Sequence, residues 1–223
     1  GLKPKDRILI DKLPFPQTEI LAFGIWTLGA SMVITGDGDL VGAKKTISPA
    51  IVISAETDYF KKIKSFPENY DPTFKPLLQH EAMVFWDKQK GIGLSHYNLL
   101  VNVNGIQHAV DLFEDQTYYV NLEPNSMPWV ILQAMLSLYS GAPMTSKDPD
   151  MIFGIDKGDF CISFKWDKLK ETTPPTLYVC NENTAFLSIN KSPIHLTALD
   201  NDKNPKIISG HSVMMGYLDN KLN

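Results

Sequence analysis

Lys90-Gly91-Ile92-Gly93-Leu94-Ser95-His96-Tyr97-Asn98-Leu99-Leu100 is the stretch on which the fold turns. Its first half has the apolar character of a buried strand. Ser95 suits a helix N-cap, where a side-chain oxygen accepts from a backbone N–H of the first turn, and Leu99, Val103 and Ile106 recur at helical spacing behind it. Strand, cap and helix in direct succession predict an α/β domain, whose mostly parallel sheet is covered by helices.

The alternation continues on both sides. Upstream, residues 16–29 predict a helix: Pro16 suits its first turn, Leu21, Ile25 and Leu28 share a face, and Gly29 fits just past the end. Residues 31–35, 50–54 and 81–86 are apolar runs of strand length, and Gly36-Asp37-Gly38-Asp39 reads as a turn. Residues 59–79, with Pro67, Pro72 and Pro76, read as a long surface connection. Downstream, residues 117–122 alternate as a strand. Ser126, Pro128 and an apolar body over 129–139 then predict a helix stopped by Gly141. Residues 160–164, 176–180 and 206–209 read as short strands, with Pro174-Pro175 excluding a helix ahead of the second. Without repeats or low-complexity segments, one α/β domain over residues 1–223 is expected, with lobes 1–80 and 81–223 as its possible subdivision.

Composition narrows the function. A chain of 223 residues with 43% hydrophobic side chains can fill a sizeable core, and a net charge of −4 with scattered lysines gives no footprint for nucleic acid. Cys161 and Cys180 have no partners at metal-ligand spacing and read as buried thiols of a reducing compartment, so cytoplasm is expected. Residues 20–36 are uncharged, but glycines at 24, 29 and 36 favour a helix followed by a strand over a membrane span.

Several segments, in order, resemble the adenylate-forming (AMP-binding) synthetase family of acyl-CoA synthetases, luciferases and peptide-synthetase adenylation domains. Residues 1–7 (Gly-Leu-Lys-Pro-Lys-Asp-Arg) resemble the entry into the family's first core strand, and residues 23–30 (Phe-Gly-Ile-Trp-Thr-Leu-Gly-Ala) the helix end that feeds the next. Residues 90–100 resemble the end of its phosphate-loop motif, Lys-Gly followed by a strand and then Ser-His-x-Asn-Leu-Leu. Residues 119–124 and the helix ending Ser140-Gly141-Ala142 resemble its substrate-pocket turn and following helix. Beyond them two registers stay open. In one, Tyr178-Val179-Cys180-Asn181-Glu182 stands over the family's Tyr-Gly-x-Thr-Glu, which touches nucleotide and helps hold magnesium. In the other, preferred because it needs no large deletion, residues 175–178 are an earlier core strand and Lys206-Ile207-Ile208-Ser209-Gly210 resembles the strand before the adenine-contacting Ser-Gly-Gly.

The resemblance implies ATP, magnesium and a small carboxylate or acyl ligand, with Lys90 and Glu182 as candidate catalytic residues and Lys90, Gly91, Ser209 and Gly210 as candidate nucleotide contacts. Adenylation needs a loop whose backbone N–H groups and hydroxyls wrap the leaving pyrophosphate. Counting back from Lys90-Gly91, the loop's Thr-Ser-Gly-Thr-Thr-Gly positions hold Ala82, Met83, Val84, Phe85, Trp86 and Asp87. The pocket turn, Glu123-Pro124-Asn125-Ser126, lacks the family's histidine. His211 follows Ser209-Gly210 in place of a glycine, and His96 reads as a cap or packing residue. The family's ribose-binding aspartate and lid lysine have no counterpart before Asn223.

Two functions follow. One is a non-catalytic relative, a pseudoenzyme that keeps the fold and serves as a binding or complex-forming subunit. The other is an acyl- or aryl-adenylate-forming ligase, making acyl-AMP and then a thioester, completed by sequence or a partner outside this chain. An unrelated α/β domain is a third. A chain that begins and ends inside such a domain is also expected to expose apolar surface and to associate with itself or a partner.

Overall fold

Ile8, Leu9 and Ile10 are all but excluded from solvent, which makes Arg7–Ile10 (β1) an interior strand. The structure, a computed structural model, describes residues 1–54, 59–155, 157–200, 203 and 205–222. It divides into two units, the first comprising Gly1–His96, Glu123–Ser126 and Met215–Asn223.

In this unit β1 lies between β2 (Ser31–Thr35) and β3 (Ile51–Ile53). Beyond β2 come β4 (Glu81–Asp87), β5 (Lys90–Ser95) and the two-residue strand Gly216–Tyr217. β1 to β4 are mutually parallel, whereas β5 turns back antiparallel on β4. The helix expected over 16–29 is α1 (Gln17–Thr27), and Gly29 takes a left-handed φ of 76° at its exit, where a Cβ would collide with the Phe74 ring. The Trp26 indole donates to the Ala82 carbonyl at 2.9 Å, fastening α1 to β4.

A second helix, α2 (Leu40–Ile47), follows the expected turn at residues 36–39, over a segment for which the sequence predicts no element. Asp39 caps it, its Oδ1 accepting from Gly42 N at 2.8 Å, and Ala43 and Ile47 pack on Leu9, Val33, Val84 and Trp86. The expected surface connection over 59–79 holds only the short α3 (Tyr59–Ile63) and is otherwise irregular. Arg7 reaches over β2 to Glu81 with two charge-assisted bonds, Nε–Oε1 2.8 Å and Nη2–Oε2 2.7 Å.

The second unit comprises Tyr97–Leu122 and Met127–Met214. It contains α4 (His96–Val110, from its second residue) and a sheet of β6 (Tyr118–Val120), β7 (Met151–Gly154), β8 (Phe160–Ser163), β9 (Thr176–Val179), β10 (Phe186–Ile189) and β11 (Ser192–Pro193), adjacent in that order. β6 to β9 run parallel and the last two turn back antiparallel. β12 (Thr197–Asp200) and β13 (Ile207–Gly210) form a separate antiparallel pair. Asn102, fully buried on α4, donates Nδ2 to the carbonyls of Asn183 (3.2 Å) and Phe186 (2.9 Å) and accepts at Oδ1 from Phe186 N (3.1 Å), so one amide holds the turn ahead of β10.

The predicted helix over 126–140 differs in kind. Trp129–Met135 is π-helical and only Leu136–Ser140 (α5) closes as α, with Gly141 in the left-handed exit at φ 79°. The cause is Tyr118. Its buried hydroxyl donates to the Leu132 carbonyl at 2.8 Å and faces the Ser137 N–H, so a side chain stands in the helix ladder where it changes register. Burial pushes this phenol far above its usual range, so it stays a neutral donor.

Candidate functional site

In an open α/β sheet, ligands bind at the carboxyl ends of the strands, where neighbouring strands send their connections to opposite faces. From β1 the chain steps to β2, and from β2 it steps back past β1 to β3. Right-handed crossovers therefore put α1 and α2 on opposite faces and make the β1/β2 boundary the switch point of the first unit. A crevice of about 270 Å³ lies there, lined by Ile10, Asp11 and Lys12 after β1, by Thr35, Gly36, Asp37 and Gly38 after β2, and by Pro124 and Asn125. These last two belong to the turn that resembles the family's substrate pocket. A larger groove of about 600 Å³ opens at the opposite edge, among Arg7, Ser31, His80 and Glu81. There the Arg7 fork is already spent on Glu81.

β4 ends at this same carboxyl edge, and here the structure revises the reading of the phosphate loop. Residues 82–86 are not a loop with the wrong residues. They are the interior of β4, each at most 3% exposed, paired with β2 on one side and β5 on the other. What joins β4 to β5 is the two-residue turn Lys88-Gln89, with Asp87 paired to Lys90 and φ of 48° and 62° at the two central residues, the positive pair of a type I′ hairpin. Two antiparallel strands are thus joined by a tight turn of two residues.

The nearby N–H donors are also engaged. Asp37 accepts from Asp39 N at Oδ1 (3.0 Å) and from Lys88 N in the hairpin turn at Oδ2 (3.0 Å). Asp39 covers the first turn of α2 and receives the Trp86 indole at 3.4 Å. The positions at which a helix N-terminus or a turn attracts an anion are thus filled by the chain's own carboxylates, and Asp87 adds a third negative charge beside Gly36.

Of the candidate residues, Lys90 and Gly91 open β5. The exposed Lys90 ammonium stands 5.5 Å from the Tyr217 ring centre, and Gly91 is buried where a Cβ would press on Leu218. Glu182, Ser209 and Gly210 belong to the second unit. Glu182 receives the Cys180 thiol at 3.6 Å, and its backbone carbonyl accepts from Met214 N at 2.8 Å. Burial, and then the Glu182 charge, push the Cys180 thiol up to about 12. Ser209 and Gly210 lie on β13, exposed and outside the parallel sheet; Gly210 pairs with Thr197, toward which Asn183 reaches at 3.5 Å. Residues 206–209 are therefore not a core strand of that sheet, whereas β9 is its last parallel member.

The segment after β9 is closed on itself. Tyr178 is 5% exposed, its hydroxyl taking Lys170 N at 3.1 Å. Thr184 is fully buried with φ 68° and ψ −65°, a strained γ-turn closed by Ala185 N on Asn183 O (2.8 Å) and held by its Oγ1 on Ser212 O (2.6 Å). Burial, and then the nearby His80, hold the half-buried His96 imidazole below its usual range, and its Nε2 has no partner among the described residues. Cys161 is half-buried and Cys180 buried, and both are free thiols. Among the described residues no helix is long and apolar enough to cross a membrane, and no group of three or more His, Cys, Asp or Glu could hold a metal ion.

No protein-family profile matches the sequence, and no curated protein does. Solved structures do. A long-chain-fatty-acid-CoA ligase from Archaeoglobus fulgidus superposes over 99% of this chain and 66% of its own at 10% identity, with a TM-score of 0.73. NpsA from Klebsiella oxytoca in complex with 3-hydroxyanthranilyl-AMSN matches 99% of this chain and 62% of its own at 14% identity, with a TM-score of 0.78. MatB from Rhodopseudomonas palustris matches 100% and 64% at 9% identity, with a TM-score of 0.75. The fold is therefore that of the large domain of adenylate-forming ligases, and this chain spans 54–66% of the length of such neighbours.

Proposed function

We propose that this chain is a non-catalytic relative of the adenylate-forming ligases, a pseudoenzyme that uses the fold as a binding or complex-forming module. One observation carries the reading: β4 and β5 are joined by Lys88-Gln89 alone, so the backbone that would wrap a departing pyrophosphate is absent from its place between two described strands. Sequence beyond this chain does not lengthen that turn. Lys90, Gly91, Glu182, Ser209 and Gly210 then have framework roles and not catalytic ones. Two unpaired cysteines favour a reducing compartment, the cytoplasm, as its place of action.

A second reading is favoured by the span of the chain, which is under two thirds of the ligases it resembles in fold. In it, sequence or a partner outside the chain completes an ATP- and magnesium-dependent ligase acting on a small carboxylate, with Lys90 and Glu182 as its polar contacts. ATP–pyrophosphate exchange separates the two. We expect no exchange above the protein-free rate for aliphatic, aryl or amino acids. Exchange that disappears in Lys90→Ala would put the ligase reading first.

A further inference from the structure

The groove of about 600 Å³ lies at the amino ends of β1, β2 and β4, wholly within the first unit. Arg7 and Ser31 stand side by side there as register partners, and Arg7 reaches past β2 to Glu81. Ser31 carries the sign of a ligand. It lines the groove and is 1% exposed, and its Oγ has no hydrogen-bond partner among the described residues, although a buried hydroxyl is ordinarily bonded.

The groups around it come as donors and acceptors in balance. Arg7 bonds Glu81 through Nε and Nη2, which leaves the N–H groups of Nη1, and each Glu81 oxygen keeps a lone pair beyond the one Arg7 takes. His80 accepts from Leu77 N at Nδ1 (3.2 Å), so its neutral imidazole carries the proton on Nε2 and donates from there. Ile47 and Ser48 bring the carbonyl end of α2 to the same groove. The fixed charges cancel, Lys5 and Arg7 against Asp6 and Glu81, so the lining selects neither a phosphate nor an ammonium ion. A ligand group that donates and accepts at once suits it, and a hydroxyl does both. Ala50 and Met215 add apolar surface for the C–H groups between hydroxyls, and the volume is that of a small-ligand site.

We propose that this groove binds a neutral sugar, a mono- or disaccharide, with two adjacent hydroxyls held by the Arg7–Glu81 pair and a third by Ser31. The proposal deepens the binding-module reading by naming a ligand class, and rests on it for a biological role. Its chemistry stands on the groove alone.

NMR titration of the whole chain tests it with the methyl glycosides of glucose, galactose and mannose. At least one is expected to move the backbone amides of Arg7, Ser31, His80 and Glu81 in a saturable way. The amino sugar and the uronate of the same configuration are expected to bind more weakly, and cyclohexanol, with one hydroxyl, to leave these amides unmoved. Ser31→Ala removes a side chain that makes no bond in the free protein, so it is expected to keep the folded spectrum and to weaken binding about fivefold, the share of one neutral hydrogen bond. The proposal is overturned if no glycoside saturates these amides, if cyclohexanol moves them in the same way, if the amino sugar or the uronate binds as well as the neutral ring, or if Ser31→Ala responds as the parent does. Failure of every sugar, with no ATP–pyrophosphate exchange, leaves the non-catalytic reading intact, whereas sugar binding together with exchange would overturn that reading alone.

Discussion

Trp86→Gly, which places a glycine at a position that counting back from Lys90 assigns to the phosphate loop, is expected to collapse the first unit and not to create a nucleotide site. Trp86 is 2% exposed and packs with Leu9, Val33, Ala43, Ile47 and Val84 under α2. Deleting a buried tryptophan costs about 3–5 kcal/mol, and a glycine inside a strand adds roughly 0.5–1. A loss of about 4–5 kcal/mol takes a large part of the 5–15 kcal/mol that holds a typical domain. Denaturant unfolding should show it directly, as a midpoint displaced by most of the available stability or as no folded baseline. A Trp86→Gly protein with near-parent stability would mean that residues 82–87 are a loop after all.

The second large effect belongs to Asn102. Asn102→Ala removes two bonds to carbonyls and leaves the Phe186 N–H without the acceptor it has inside the unit. Orphaning one buried donor costs about 1–3 kcal/mol and each lost neutral bond about 1, so roughly 3–5 kcal/mol is expected. Asn102→Asp keeps the acceptor but turns a carboxylate toward the carbonyls of Asn183 and Phe186. Its folded-state pKa is then raised, so its deficit should shrink as pH falls through that value and the acid regains a donor. Equal deficits for both variants at every pH would show that the amide hydrogen bonds are not what holds the turn.

Much of the fold was legible because burial leaves a periodic trace. Residues 31–35 and 81–86 are runs that only an interior strand explains, and Gly29 and Gly141 stand where helices end at positive φ. α2 was not expected: Asp39, which caps it, stands in the Gly36-Asp37-Gly38-Asp39 stretch that reads as a turn. The π-helical stretch had no chance of being read. Its apolar spacing suits an α-helix too, and the difference comes from the Tyr118 hydroxyl, eleven residues before Trp129.

The candidate site was legible only in outline. The hairpin turn reads Asp-Lys-Gln-Lys, without the glycine or asparagine that usually marks φ above zero, so sequence counting expects a loop over residues 82–87 where the chain forms a strand and a two-residue turn. The crevice depends on the ends of β1 and β2 lying side by side, which follows from strand order and from no local pattern.

In the proposed non-catalytic role, the edge of the sheet where a ligase would hold a triphosphate binds none. Thermal unfolding with and without millimolar Mg-ATP tests it most directly. A ligand at about a hundred times its dissociation constant contributes about 2.7 kcal/mol, which for a chain of this size raises the midpoint by roughly 5–10 °C. The proposed non-catalytic role predicts no shift beyond that produced by an equal concentration of magnesium and sodium chloride. A rise of that size with Mg-ATP, abolished by Lys90→Ala, would contradict the account.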